Sequence, residues 1–360
     1  MFVAWRDLRH ARGRFVLIGS VVALITLLVG FLAGLTGGLA GQNVSAVLGL
    51  PGDRLVLQEP ANGEPSFSGS AIAPSTVSAW HDTAGVDAVT PIGIVQGRAA
   101  QADDRSAVAV ALFGVPREAP GSAVTDLAPD GDGSVGLSSG AATDLDVSVG
   151  DDITITGSTY RVALIGGDTS YSHTPVVVLS PTAWAEVDRR LGGDGAATVL
   201  AVSGSPDWDA AADLTETWAV PPLTSLTALE TFTSEVGSLG LMIVMLFGVS
   251  ALVVGAFFTV WTMQRAGDVA VLKALGASQG SLVRDALGQA LVVLVAGIGV
   301  GIVIVVVLGA LADDVLPFLL SPLTTVLPAA VMVVLGLAGA AVALRTVTRA
   351  DPLTALGSNR

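Results

Sequence analysis

Four long stretches of this chain carry no charged residue: Phe15–Gly52, Val236–Gln264, Ala286–Ala312 and Val315–Leu344. Each exceeds the roughly 20 apolar residues a helix needs to cross a bilayer. The pattern therefore predicts an integral membrane protein with four spans and a large polar insertion between the first two.

The charges between the spans set the orientation. Segments before the first span, between the second and third, and after the fourth together carry ten basic and four acidic residues. Asp53–Glu235 holds seven basic against 25 acidic, and Asp313 and Asp314 complete the formal −14. Because Lys and Arg near membrane ends stay cytoplasmic, both termini are expected inside and the acidic domain outside. The acidic balance thus belongs to an exported domain, and it gives no footing for nucleic acid. Cysteine is absent, so that domain must rely on its own core. The first apolar run lacks a small-residue cleavage pattern and reads as a retained anchor.

The expected fold class is an α-helical membrane protein with four transmembrane helices plus an α+β extracytoplasmic domain inserted between helices 1 and 2. The expected boundaries are 1–14, a cytoplasmic amphipathic segment or plain tail; 15–42, the first span; and 43–227, the outer domain. They continue with 228–263, a stalk and second span; 264–285, a cytoplasmic coupling loop; and 286–311, the third span. Last come 312–323, a short external turn; 324–345, the fourth span; and 346–360, a cytoplasmic tail. In the first span Gly30, Gly34 and Gly38 recur at a spacing that lets helix backbones approach, either within the chain or in a homodimer. Gly297, Gly299 and Gly301 mark the third.

In the outer domain, Arg54–Gln58, Ala107–Phe113, Asp152–Thr156 and Pro175–Leu179 are strand-like. Ala73–Trp80 and Ser180–Asp188 read as helices with proline in the first turn. Pro116–Gly136, rich in Gly, Asp, Pro and Ser, is expected to be a mobile loop. Thr227 and Glu230 form a capping-box pattern that predicts a helix from about 228, long enough to stand beyond the bilayer as a stalk.

Catalytic patterns are missing. There is no Walker-type loop, the single lysine being Lys273 between Leu272 and Ala274. The histidines His10, His81 and His173 have no metal-ligand spacing, and no G-x-S-x-G elbow occurs. No catalytic residue and no intrinsic cofactor are therefore assigned. In the cytoplasmic loop Val269, Leu272 and Leu275 share one face of a two-turn helix, Gly276 is a suitable stop, and Ser278 can cap the next helix. Such a helix could grip a partner or lie on the membrane surface.

Val269-Ala-Val-Leu-Lys-Ala-Leu-Gly-Ala-Ser278 resembles the "E-I-G-x-L-R-A-L-G-A-S" loop of the FtsX-like, or MacB-like, family of ABC transporter permeases. Ala4-Trp-Arg-Asp-Leu8, the domain between spans one and two, and Asp351-Pro-Leu-Thr-Ala-Leu356 extend the likeness to both ends. Gly267-Asp268 departs from the family's usual Arg-Glu. The resemblance implies a non-catalytic permease that pairs with a second copy of itself. It further implies that two copies of a cytoplasmic ABC ATPase, which bind the ATP, dock through Val269, Leu272, Lys273, Leu275 and Gly276. ATP-driven closure would then move the outer domains by mechanotransmission.

Val149-Gly-Asp-Asp-Ile-Thr-Ile155 and Tyr160-Arg-Val-Ala-Leu-Ile165 are similar to the family's extracytoplasmic core. Ser170-Tyr-Ser-His-Thr-Pro-Val-Val177 is similar to the DevC/HrtB branch, which includes heme-efflux pumps of the cell membrane. That likeness implies heme as cargo gathered from membrane lipid. Glu235 stands where stalk meets span, with Met242 seven residues on along one helix face and Met245 nearby. A carboxylate at membrane depth is a functional candidate, and carboxylate, thioether, imidazole and phenol are all iron ligands. The candidate heme ligands are Glu235, Met242, Met245, Glu230, His173 and Tyr171, with Glu235 and Met242 foremost for the iron. Packing, a headgroup position or a helix cap would explain the same residues. The rival expectations are a MacB-like exporter of peptide, antibiotic or lipid, and an FtsX-like transducer acting on a cell-wall enzyme.

Overall fold

The computed structural model describes residues 12–102, 106–119, 121–264, 267, 271, 278–312 and 316–348. Four helices are long and apolar enough to cross a membrane: α1 (Arg12–Leu48), α7 (Glu230–Gln264), α8 (Gln279–Ala312) and α9 (Pro322–Thr348). Between α1 and α7 lies the mixed α/β domain. The chain divides into two compact units, Leu39–Gly237 and the remainder.

In the membrane unit, Ile18, Val22, Val254, Phe258, Leu294, Ile298, Met332 and Ala340 form the buried core. Leu241, Val244, Leu252, Val303 and Val334 are exposed, as apolar side chains meeting lipid would be. Small residues bring α1 and α8 together. A Cβ on Gly297 would lie 2.8 Å from the Gly19 carbonyl oxygen, one on Gly301 2.8 Å from that of Ala23, and one on Gly30 2.9 Å from Val305. The contacts advance together along both helices, so the two run parallel.

Gly30, Gly34 and Gly38, expected to let helix backbones approach, have close neighbours within the chain. A Cβ on Gly34 would be 2.3 Å from the Phe318 ring, and one on Gly38 1.9 Å from the Pro317 carbonyl oxygen. The close approach that glycine permits is used inside the chain. Pro328 is held within α9. Nearby, Ser250 Oγ donates to Met332 Sδ at 3.1 Å, so a buried hydroxyl finds a partner without water.

The α/β domain opens with β1 (Arg54–Gln58), α2 (Pro74–His81), β2 (Val86–Gln101), β3 (Val108–Gly114), β4 (Ser134–Leu137), α3 (Ser139–Leu145), β5 (Asp152–Ile155) and β6 (Ser158–Ile165). It continues with β7 (Ser170–Tyr171), β8 (Thr174–Leu179), α4 (Pro181–Leu191), β9 (Val199–Gly204), α5 (Trp208–Thr215), β10 (Thr217–Val220) and α6 (Pro222–Ser225). The strands order as β10-β1-β9-β2-β3-β8-β4-β6-β5, with β7 on β8. Because β5 also pairs with β2, the second half of the sheet closes on itself. The β3–β8 and β4–β6 pairs are parallel and the others antiparallel.

Local chemistry sets the helix starts. Ser138, Ser180 and Asp207 accept from the backbone N–H three residues on, satisfying donors that a helix start leaves orphaned. Trp184 on α4 lies flat against the sheet because Gly93 and Gly114 leave room. A Cβ at either would come within 2.3 or 2.6 Å of it.

Two local expectations are corrected. The stretch expected to be a loose loop between Pro116 and Gly136 is anchored at several of its described residues: Val124, Leu127 and Ala128 enter the core, and Arg117 Nη1 donates to the Ala128 carbonyl at 2.8 Å. The Thr227–Glu230 pair does not cap a helix at 228. Leu226–Ala228 is a 3-10 turn, Leu229 is extended, Thr227 Oγ1 donates to the Thr224 carbonyl, and α7 begins at Glu230.

Candidate functional site

The β7–β8 hairpin turns on two residues, Ser172 and His173, both with left-handed backbone (φ 48° and 63°). Two-residue hairpins favour this geometry, but usually with Asn-Gly, since a side chain there is strained. Tertiary bonds hold the turn. The Ser172 N–H donates to the Asn43 carbonyl at 3.0 Å and that of His173 to the Gln42 carbonyl at 3.2 Å. Ser45 Oγ accepts from the Ser170 N–H at 2.8 Å and lies 3.2 Å from the Ser170 carbonyl oxygen. The hairpin tip is thereby tied to the end of α1.

The same tip meets the start of α7. His173 Nε2 lies 2.9 and 2.8 Å from the two carboxylate oxygens of Glu235. Asn43, wholly buried, donates from Nδ2 to Glu235 Oε2 at 3.4 Å and accepts at Oδ1 from Thr231 Oγ1 at 3.0 Å. Ser172 Oγ closes the circuit on Thr231 Oγ1 at 3.3 Å. A carboxylate only accepts, so Nε2 carries the proton it shares with Glu235. The His173 and Glu235 side chains keep 29% and 38% of their exposure, so the pair is fixed yet reachable.

Tyr171 precedes the turn and is buried, its ring meeting Phe67 and Phe113 edge-on at 6.3 and 5.8 Å. Burial, then the Glu230 carboxylate, raises its phenol well above the ordinary 10.0. The neutral phenol is a hydrogen-bond group, not a ready phenolate. Tyr171 and Glu230 both line a cleft of about 690 Å³ in the α/β domain.

Of the sequence candidates, the structure thus joins Glu235 and His173 directly and sets Tyr171 and Glu230 on the cleft. Met242 and Met245, on α7, are 56% and 63% exposed. Val269, Leu272, Lys273, Leu275 and Gly276 lie outside the described residues. Asn43, Ser172 and Thr231 were missed. Asn43 is the one polar side chain whose signal was visible, an amide with both oxygen and nitrogen to satisfy at the end of an apolar helix. Among the described residues, no group of three or more His, Cys, Asp or Glu could hold a bare metal ion.

Residues 240–352 match the family described as FtsX-like permease C-terminal. Across 361 residues, 99% of each chain, the protein is 25% identical to "Putative hemin transport system permease protein HrtB" of Staphylococcus haemolyticus. It is 26% identical over 374 residues, again 99% of each chain, to an uncharacterized ABC transporter permease of Mycobacterium tuberculosis. Among solved structures, the periplasmic region of MacB from Actinobacillus actinomycetemcomitans aligns with 51% of this chain and 95% of its own. That alignment has 12% identity and a TM-score of 0.35.

Proposed function

We propose that this chain, an ABC-transporter permease of the FtsX/MacB type, exports hemin from the membrane with energy from a separate ATPase. The observation that carries the reading is the Glu235–His173 pair, supported by the end-to-end match to a relative whose name specifies hemin transport. Ferric iron favours a hard carboxylate oxygen, and an imidazole that donates to that carboxylate orients it. In this proposal Glu235 offers the ligand oxygen, while His173 either steadies it or swings to the second axial position. Glu230 and Tyr171 act as outer contacts, and Met242 and Met245 offer thioethers on the same helix.

The acidic domain then faces outward and both termini face the cytoplasm, as the basic flanks require. A second copy completes the pump, and two ATPase subunits grip Val269, Leu272, Lys273, Leu275 and Gly276. Drawing cargo from the lipid suits a chain whose spans expose broad apolar surface. Titrating the purified permease with hemin tests the reading: a saturable shift of the Soret band supports it, and a spectrum equal to hemin in empty micelles defeats it.

A further inference from the structure

The cleft in the α/β domain has an open strand edge on one wall. Along β2, pairing with β9 ends at Ile92–Val199 and pairing with β5 begins at Ala99–Ile155, so Val95–Arg98 have a neighbour only in β3. The Ile94 N–H donates to Thr198 Oγ1 at 2.8 Å, and that hydroxyl lies 3.1 Å from the Ile94 carbonyl oxygen. Ile94 therefore turns its backbone groups away from β3. By the alternation of an antiparallel ladder, Gln96 turns its N–H and C=O to the same edge, where no strand receives them.

The rest of the wall has a defined chemistry. Tyr171 is 7% exposed and lines the cleft beside Glu230. Glu230, Asp188 and Asp194 line the cleft and, among the described residues, neither Lys nor Arg does, while Phe67 supplies apolar surface. An unpaired edge calls for backbone amides and the acidic lining for positive charge.

We infer that this cleft takes an extended basic segment of a partner protein, added as a strand to β2 at Gln96 with a Lys or Arg directed toward Glu230. A second copy of this chain is a poor occupant, since its own α/β domain is strongly acidic. The inference shares Tyr171 and Glu230 with the hemin reading, but Gln96 and the strand edge lie outside the Glu235 pair, so the two can fail separately.

The test is fluorescence anisotropy on the full-length permease in nanodiscs, with a labelled octapeptide of alternating Lys and Val. We expect saturable binding, weakened roughly tenfold or more when Glu replaces Lys, when alternate peptide nitrogens are methylated, or by Gln96→Pro. Tyr171→Phe and Glu230→Gln should weaken it less. The methylated peptide needs no variant, so misfolding cannot mimic its effect, and Gln96→Pro should leave the hemin spectrum unchanged. Absence of binding, or equal binding of the methylated peptide, overturns strand addition; equal binding of the Glu peptide overturns the basic specificity.

Discussion

His173 Nε2 lies 2.8 Å from Glu235 Oε2 across 62 residues of sequence, so the hairpin tip and the start of the long helix share one charge-assisted contact. Asn43 joins them from a third element, and the three together form a closed polar circuit within the α/β unit.

If Glu235 is the iron ligand, Glu235→Ala should abolish the Soret shift, whereas His173→Ala should weaken hemin by about tenfold, as loss of an outer-shell partner does at metal sites. Unchanged spectra and affinity for both variants would remove the pair from the site. Asn43→Ala should also cost about 1–3 kcal/mol of stability, because it strands Thr231 and part of the carboxylate, and a chemical melt measures this.

Tyr171 gives a titration signature, since the chain has only two tyrosines. Its folded pKa is raised above the ordinary 10.0, so its contribution to stability is complete below about 10 and is lost as pH rises through the folded value. Tyrosinate absorbance should show a phase delayed beyond the ordinary range, absent in Tyr171→Phe. A single phase near 10 in the wild type would contradict the burial argument.

The glycines of α1 should differ sharply. Gly38→Val meets the Pro317 backbone and Gly34→Leu meets Phe318, so each should cost about 1–3 kcal/mol or prevent assembly. Gly41→Ala meets nothing within 4 Å and should be neutral or stabilising by up to about 1 kcal/mol. Detergent melting curves separate the cases; equal effects at Gly38 and Gly41 would refute the packing.

Leu272→Asp should uncouple the ATPase, because docking would bury an unpaired charge. The variant should pull down less ATPase and lose cargo-stimulated hydrolysis while keeping hemin binding. Normal association would rule out the coupling role.

What was readable in the sequence follows the physics of each signal. Charge-free windows marked the spans because a bilayer tolerates few alternatives, and Arg54–Gln58 was legible as a strand because the short apolar run Leu55–Leu57 is bounded by polar and turn-forming residues. The sixteen-residue β2 was not, since Gly93 and Gly97 interrupt its pattern in order to admit Trp184 and Leu112. Pro116–Gly136 looked loose by composition, yet a few apolar residues, Val124 and Leu127 among them, suffice to pin it. Glu235 stood out as a carboxylate at a span's edge, and its local surroundings did not reveal His173. Only folding of the β7–β8 hairpin onto Gln42 and Asn43 brings the two together.

The most direct test of the central claim is transport itself. Permease and its ATPase, reconstituted in vesicles loaded with an apo heme-binding protein as acceptor, should deliver hemin to that acceptor when ATP is supplied to outward-facing ATPase, at a rate that collapses in Glu235→Ala. ATP-independent transfer, or equal rates with and without Glu235, would contradict the account.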